Sequence, residues 1–289
     1  MVIEENVLLS IYTSYKTGGL AKYFAECTSN EDIKKALQFA EEKNITYEII
    51  GGGSNLLISD NGYNGLVICT ANLNRYIINK GNNILKSGAG ISLADLVLYA
   101  CNKGLAGMEA MAGIPGSVGG AVRMNAGAFN QEIKDTNLNV TLMDIKGNIK
   151  TIKNEEIGFS YRKSRAVENH IVLSAEFLYN SDNMETLLAK RKEILEKRKE
   201  KQPLHKPSCG SVFKRPEGNY AGTLIEKCGL KGYKIGGAVV SEKHGNFILN
   251  EDNATSSDIY NLIHYVIDEV KKQSGITLEP EVRMIGFDK

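Results

Sequence analysis

The stretch YEIIGGGSNLLIS, residues 47 to 59, places three consecutive glycines between two apolar runs that read as short β-strands. Each glycine loses more backbone freedom on folding than any other residue and brings no side chain to a core. Three in a row must therefore do something that only bare backbone can do. The physical uses are a turn with positive φ, or a close approach of main-chain N–H groups to an anion such as a phosphate. The spelling excludes two familiar phosphate loops, because no Lys-Ser/Thr pair follows and the glycines lack G-x-G-x-x-G spacing. NLLIS then runs as strand into the turn residues DNG instead of opening a helix. On this stretch alone, a tight hairpin turn and a phosphate cradle fit equally well.

A second site breaks the tie. In GIPGSVGGAVRMNAGA, residues 113 to 128, Gly113, Gly116, Gly119, Gly120 and Gly127 crowd around one proline. Ile114, Val118, Ala121, Val122 and Met124 interleave with them, which suits an ordered, packed loop and not a mobile linker. Of the 29 glycines in 289 residues, these two windows hold eight. Two such loops can grip one elongated diphosphate.

The rest of the chain sets bounds. With 42% hydrophobic and 24% charged residues it is an ordinary globular composition, long enough for two or three subdomains, and disorder is not indicated. A net charge of +1 offers no general field for nucleic acid. The N-terminus lacks a basic n-region, and no apolar run is long enough to span a bilayer, so a cytoplasmic protein without membrane insertion is expected. Cys27, Cys69, Cys101, Cys209 and Cys228 are odd in number and scattered, with no C-x-x-C pair. Neither a disulfide framework nor a metal site is expected.

Periodicity predicts a helix capped by Asn30 and running to Asn44, and a second one opening at Ser92 with Asp95 at capping-box spacing and ending near Gly104. Short strands are predicted at Leu66 to Cys69, Val140 to Asp144 and His170 to Phe177. Residues 184 to 202 form a basic helix with a narrow stripe of Leu187, Leu188, Ile194 and Leu195; most of its charges are solvated, while Arg198 and Lys201 could face an anionic ligand. Pro203 and Pro207 suggest a subdomain boundary. Beyond it come a strand pattern in GNFILN and an amphipathic helix from Ser257 to Gln273.

Three further stretches each join a potential acid or base to a cation: FSYRKSR at 159 to 165, PSCGSVFKRP at 207 to 216 and LEPEVRMIG at 278 to 286. Singly, each has a plain reading as surface charge, turn hydroxyl or strand ion pair. Together with GGGSNLL, GIPGSVGGAV.MNAGA and GGA.VSE.H..F..N they occur in an order, over nearly the whole chain, that closely resembles the MurB family of UDP-N-acetylenolpyruvoylglucosamine reductases. GGGSN and GIPG alone resemble only the wider set of flavin-binding folds related to vanillyl-alcohol oxidase.

The resemblance implies an α+β protein: a two-subdomain FAD-binding fold of the vanillyl-alcohol-oxidase type, residues 1–68 and 69–202, followed by a C-terminal α+β substrate-binding domain, residues 203–289, whose last strand returns to the active site. It implies reduction of UDP-N-acetylglucosamine enolpyruvate to UDP-N-acetylmuramate, with NADPH as hydride donor and FAD as cofactor. The glycine loops contain neither His nor Cys, so the FAD is expected to be noncovalent.

Residue by residue, the resemblance assigns Gly51, Gly52, Gly53, Ser54, Asn55, Gly113, Ile114, Pro115, Gly116, Val118, Gly119, Gly120 and Arg283 to the cofactor. Ser211 matches the proton donor, and Arg162 and Glu281 the other catalytic residues. Tyr161, Lys214 and His244 match the substrate pocket, and Arg198 and Arg215 the substrate diphosphate. No long insertion separates VFKRP from LIEKCGLKG, as in the shorter subtype, so contacts from the longer subtype's extra loop do not transfer. GAFNQEI and YRKSRA depart from the family pattern in loop detail only. A monomer is expected. The alternatives are an FAD-dependent oxidase on the same fold and a flavin- or nucleotide-binding protein without catalysis.

Overall fold

The computed structural model describes residues 1–287, and the chain divides into two compact units. The first comprises Met1–Glu4, Tyr23–Gly52 and Gly65–Lys197; the second comprises Glu5–Lys22, Gly53–Asn64 and Arg198–Lys289. The first elements in chain order are β1 (Ile3–Leu8), β2 (Leu20–Glu26), α1 (Asn30–Glu42), β3 (Tyr47–Ile50), β4 (Leu56–Ile58), β5 (Tyr63–Cys69), β6 (Ile77–Gly81), β7 (Ile84–Gly88), α2 (Leu93–Asn102) and α3 (Val118–Arg123).

Helix α1 starts one residue earlier than its sequence suggests. Ser29, not Asn30, is the cap: its hydroxyl accepts from the Asp32 amide at 3.2 Å, and the Asp32 carboxylate accepts from the Ser29 amide at 3.0 Å. This reciprocal pairing satisfies two orphan donors, and a serine can do it where the longer Asn30 is already inside the first turn. Ile33, Ala36, Leu37 and Ala40 face the core, as their spacing requires.

β3 and β5 run parallel, Tyr47 opposite Leu66 and Ile50 opposite Cys69, in a sheet of order β1-β2-β5-β3. The first unit also carries a five-stranded antiparallel sheet of order Ile149–Lys153, Asn137–Met143, Ile171–Leu178, β7 and β6. Its central strand is buried at Ile171, Val172, Leu173, Ala175 and Phe177, the near-continuous apolar run expected of a strand covered on both faces. Leu96 and Val97 of α2 and Val118 and Val122 of α3 join these residues in one core. The basic helix Met184–Lys201 docks on that core through Leu187, with Leu188, Ile194 and Leu195 half-buried.

The second unit is organised by the helix Ser256–Ser274. Thr255 caps it, accepting from the Asp258 amide at 3.0 Å, and Gly275 ends it with φ +74°. Ile259, Leu262, Ile263, Val266 and Val270 are buried among Ala238, Val240 and Ile248, each contributing about 1.5–3 kcal/mol by leaving water. In the same unit β4 runs parallel to Arg283–Ile285, Leu56 opposite Arg283.

These pairings decide what the glycine triplet is. β3 belongs with β5 and β4 with Arg283–Ile285, so the two apolar runs flanking Gly51–Gly53 are not the arms of a hairpin. The chain leaves the first unit at Gly52 and enters the second at Gly53. Gly53 has φ +66°, and a Cβ there would land on the Tyr12 carbonyl oxygen. No other residue can make that step without moving the backbone.

Candidate active site

In the first unit the two glycine loops lie against one another. A Cβ on Gly52 would stand 3.0 Å from the Gly116 Cα and 3.3 Å from the Ser117 nitrogen, and one on Gly51 would stand 2.8 Å from the Ser117 hydroxyl. The contact is backbone on backbone, and side chains would wedge it apart. Gly113 and Gly116 hold φ of +77° and +110°, which bend the second loop into this approach. Ile114 is half-buried and Pro115 exposed. A cradle lined by main chain, free of bulk, fits a diphosphate.

The second loop then opens α3, capped by Ser117, whose hydroxyl accepts from the Gly120 amide at 3.3 Å. The Val118 and Gly119 amides donate to the Ile91 and Ala89 carbonyls at 2.8 and 2.9 Å. A Cβ on Gly119 would stand 3.0 Å from the Ala89 Cβ. The helix must therefore pack closely on β7 and its following turn, and that alone accounts for Gly119.

Tyr161 and Arg162 form the two-residue turn between Phe159–Ser160 and Lys163–Ser164. Arg162 holds φ +56°, an uncommon conformation for a non-glycine residue of this size. Its guanidinium lies 4.8 Å from the exposed Tyr161 ring and donates to the Gly127 carbonyl at 3.2 Å. Asn125, fully buried, supports the turn: its amide donates to the Ser160 carbonyl at 3.0 Å and to Glu132 at 2.9 Å, and its oxygen accepts from the Lys134 amide at 3.0 Å.

In the second unit Cys209, Gly210 and Ser211 separate two chemistries. Residues 209–213 form no regular strand beyond an isolated bridge from Phe213 to Pro280, so the alternation expected of a strand does not apply. Gly210, at φ +81°, turns the chain. Cys209 is buried in the core, where its thiol donates to the Tyr15 hydroxyl at 3.3 Å, whereas Ser211 is half-buried. Burial, with the Glu281 charge adding to it, pushes the Cys209 thiol up to about 12. Burial beside Cys209 likewise raises the Tyr15 phenol well above its usual value. Cys209 is a neutral core thiol, not an acid poised for transfer.

The Glu281 segment runs beside that of Ser211. The Glu281 amide donates to the Val212 carbonyl at 2.7 Å, and the Lys214 amide donates to the Glu279 carbonyl at 2.8 Å. Asn55 pins the same segment, donating from its side chain to the Glu281 carbonyl at 3.0 Å and accepting the Arg283 amide on its own carbonyl at 3.0 Å. One of the two side-chain amide protons of Asn55 is thus engaged within the protein. Arg283 begins the strand paired with β4.

The remaining basic residues differ in surroundings. Lys214 pairs with Glu279 and Arg215 stacks 4.1 Å from the exposed Tyr220 ring. Arg198 is half-buried; burial lowers its pKa, and its Nε is buried without a hydrogen-bond partner among the described residues. A buried donor without a partner suits an anion that is not part of the chain. His244 accepts the Asn246 amide on Nδ1 at 3.2 Å and meets Phe247 edge-on at 4.8 Å. Burial, with Lys231 assisting, lowers its pKa.

Two residues to which no motif gave a role take part in these contacts, Asn125 and Asn246. Asn125 lies inside the quoted stretch MNAGA, where a buried asparagine reads as one more loop residue. Asn246 fell at an unassigned position of H..F..N.

Residues 21–153 match the model of the FAD binding domain, and residues 202–285 match the C-terminal domain of UDP-N-acetylenolpyruvoylglucosamine reductase. The chain is 43% identical to the UDP-N-acetylenolpyruvoylglucosamine reductase of Lactobacillus delbrueckii subsp. bulgaricus, over 98% of this chain and 95% of that one. It is 44% identical to that of Lachnoclostridium phytofermentans over 97% and 92%. The crystal structure of UDP-N-acetylenolpyruvylglucosamine reductase (MurB) from Thermus caldophilus superposes with a TM-score of 0.85 at 34% identity, covering 99% of both chains. The α+β architecture is thus that of an FAD-binding fold joined to a MurB C-terminal domain, and the chain belongs to the MurB family of UDP-N-acetylenolpyruvoylglucosamine reductases.

Proposed function

We propose that this protein reduces UDP-N-acetylglucosamine enolpyruvate to UDP-N-acetylmuramate in bacterial peptidoglycan precursor synthesis, with NADPH as hydride donor and noncovalent FAD as cofactor. The observation that carries this reading is the end-to-end likeness to enzymes bearing that name. The bare-backbone contact of Gly52 with Gly116 supports the cofactor independently.

FAD, when bound, would supply the hydride-transfer chemistry between NADPH and the terminal carbon of the enolpyruvyl group. The chain's own residues do the rest. The cofactor is held by Gly51, Gly52, Gly53, Ser54, Asn55, Gly113, Ile114, Pro115, Gly116, Val118, Gly119 and Gly120, with Arg283 serving the flavin or the catalytic carboxylate; the Val118 and Gly119 amides also donate inside the protein. Arg162 stabilises the negative charge that builds on the substrate carboxylate. Ser211 gives its Oγ proton to the carbon beside the ether oxygen, completing the lactyl ether; the substrate enolate is a base strong enough to take it. Glu281 serves the same developing charge either as a protonated donor or by positioning another donor. Tyr161, Lys214 and His244 contact the substrate, and Arg198 and Arg215 its diphosphate.

Residues 1–68 and 69–202 serve as the two FAD-binding subdomains and residues 203–289 as the substrate-binding domain. The protein works as a cytoplasmic monomer. All five cysteines carry free thiols, in keeping with a reducing compartment, and among the described residues no helix is long and apolar enough to cross a membrane.

The test is anaerobic stopped flow. NADPH should bleach the flavin, and UDP-N-acetylglucosamine enolpyruvate should restore its colour. Reoxidation by O₂ but not by the enolpyruvate would point to an oxidase instead. No bleaching at all would point to a binding protein.

A further inference from the structure

We infer that Asn246 is a positioning residue for proton transfer, its carboxamide fixing Ser211 in register with Glu281; this rests on the roles of Ser211 and Glu281 given above. The segment carrying Ser211 has no helix or strand of its own to hold it, and Gly210 just before it adopts φ +81°. A hydroxyl on such a segment transfers a proton efficiently only if something else fixes the backbone, because a displacement of about 1 Å can cost ~10²-fold in rate.

Asn246 supplies that fixation with three hydrogen bonds. Its main-chain carbonyl accepts from the Val212 amide at 2.9 Å. Its side-chain oxygen accepts from the Phe213 amide at 2.9 Å, and its side-chain nitrogen donates to the Phe213 carbonyl at 2.9 Å. The carboxamide presents one donor and one acceptor in a plane, as a peptide group does, and here it substitutes for a neighbouring strand on the side of Phe213 away from Pro280. On the other side, the Val212 carbonyl accepts from the Glu281 amide at 2.7 Å. The main chain after Ser211 is thus held between Asn246 and the residue that bears the catalytic carboxyl.

Asn246 is itself fixed. Only 8% of its surface is exposed, and the pattern of donor and acceptor admits one orientation of the amide. A Cβ on the preceding Gly245 would stand 2.6 Å from the Gly222 carbonyl oxygen, so the turn sits tightly on the start of the helix Ala221–Lys227. Ser241 closes the turn, its amide donating to the Phe247 carbonyl at 2.8 Å and its hydroxyl accepting the Lys243 amide at 3.1 Å.

The experiment measures both half-reactions of the FAD-loaded protein and amide hydrogen exchange of Val212 and Phe213 in loaded and FAD-free protein. Asn246→Ala should slow flavin reoxidation by the enolpyruvate substrate by ~10–10²-fold while leaving reduction by NADPH within about 3-fold, and exchange at both amides should quicken. In a Ser211→Ala background the same change should cost less than about 3-fold, because the group it positions is gone. Asn246→Asp keeps the shape and, once protonated, recovers the donor; its reoxidation rate should rise as pH falls, whereas that of Asn246→Ala should not. This variant carries the test if Asn246→Ala does not fold. Unimpaired reoxidation in Ser211→Ala alone would overturn the Ser211 assignment and this inference with it. A slow Ser211→Ala beside a normal Asn246→Ala, equal losses in both half-reactions, fully multiplicative losses in the double variant, or no low-pH recovery in Asn246→Asp would overturn the inference alone.

Discussion

The two units build their candidate residues into place by opposite means. In the first, Gly51, Gly52 and Gly116 work by having no side chain, so two stretches of main chain can touch. In the second, Ser211 and Glu281 sit on irregular backbone that is held by the side-chain amides of Asn246 and Asn55. Removing atoms makes the first arrangement; adding a precisely bonded amide makes the second. The difference teaches where each is vulnerable: a glycine loop fails by gaining a methyl group, a clamped loop by losing one hydrogen-bonding group.

The largest effect expected is at Ser211. Ser211→Ala should slow substrate-dependent reoxidation by ~10²–10⁴-fold, the usual loss on removing a general acid, with reduction by NADPH preserved. Stopped-flow traces showing normal reoxidation would dissolve the contrast, since the clamped segment would then have nothing to position.

Gly52→Val probes the other arrangement. Its branched side chain meets Gly116 and Ser117 at or inside van der Waals distance, an overpacking worth ~1–3 kcal/mol, so FAD affinity measured by titration should fall by ~5–150-fold. Unchanged affinity would mean that the loop contact is mere packing.

Cys209→Ala sharpens the comparison by its mildness. The thiol is buried against Tyr15, so the variant should lose about 1 kcal/mol of unfolding free energy in urea titration while turnover stays within about 2-fold. A collapse of reoxidation here, with Ser211→Ala unaffected, would reverse the two roles.

The smallest effect concerns pH. The folded-state pKa of His244 lies below its ordinary value near 6.5, chiefly through burial. Its contribution to stability is therefore present above that value and is lost as pH falls through the lowered one. His244→Gln should flatten the decline of urea midpoint as pH falls below about 6.5; parallel curves would show that other groups carry it.

What the sequence disclosed follows the same division. Helix Ser256–Ser274 was legible because five buried residues recur at helical spacing, and the glycine loops because bare backbone is costly and must have a use. The start of α1 slipped by one residue because Ser29, Asn30 and Asp32 are all cap formers, and only the bond from Ser29 to the Asp32 amide chooses among them. Whether Gly51–Gly53 were a hairpin turn depended on strands far along the chain, information that no local window contains. Residues 209–213 have a strand's composition, yet Gly210 and the bonding of Asn246 give them another shape. A clamp made by one buried amide leaves no period, no cluster and no unusual composition to read.

The pairing of β4 with Arg283–Ile285 also bears on how the protein is made. β4 emerges early in synthesis, but Arg283 of its partner strand follows Ile58 by 225 residues. At ~5–20 residues per second, Leu56, Leu57 and Ile58 wait on the order of ten seconds or more with an apolar strand edge unmatched. The first unit has no such wait, because all of its sequence is out by Lys197. Ribosome-bound nascent chains long enough for Lys197 to clear the exit tunnel should therefore already protect the first unit from protease, while the short segments of the second remain open to chaperones until Arg283–Ile285 emerges.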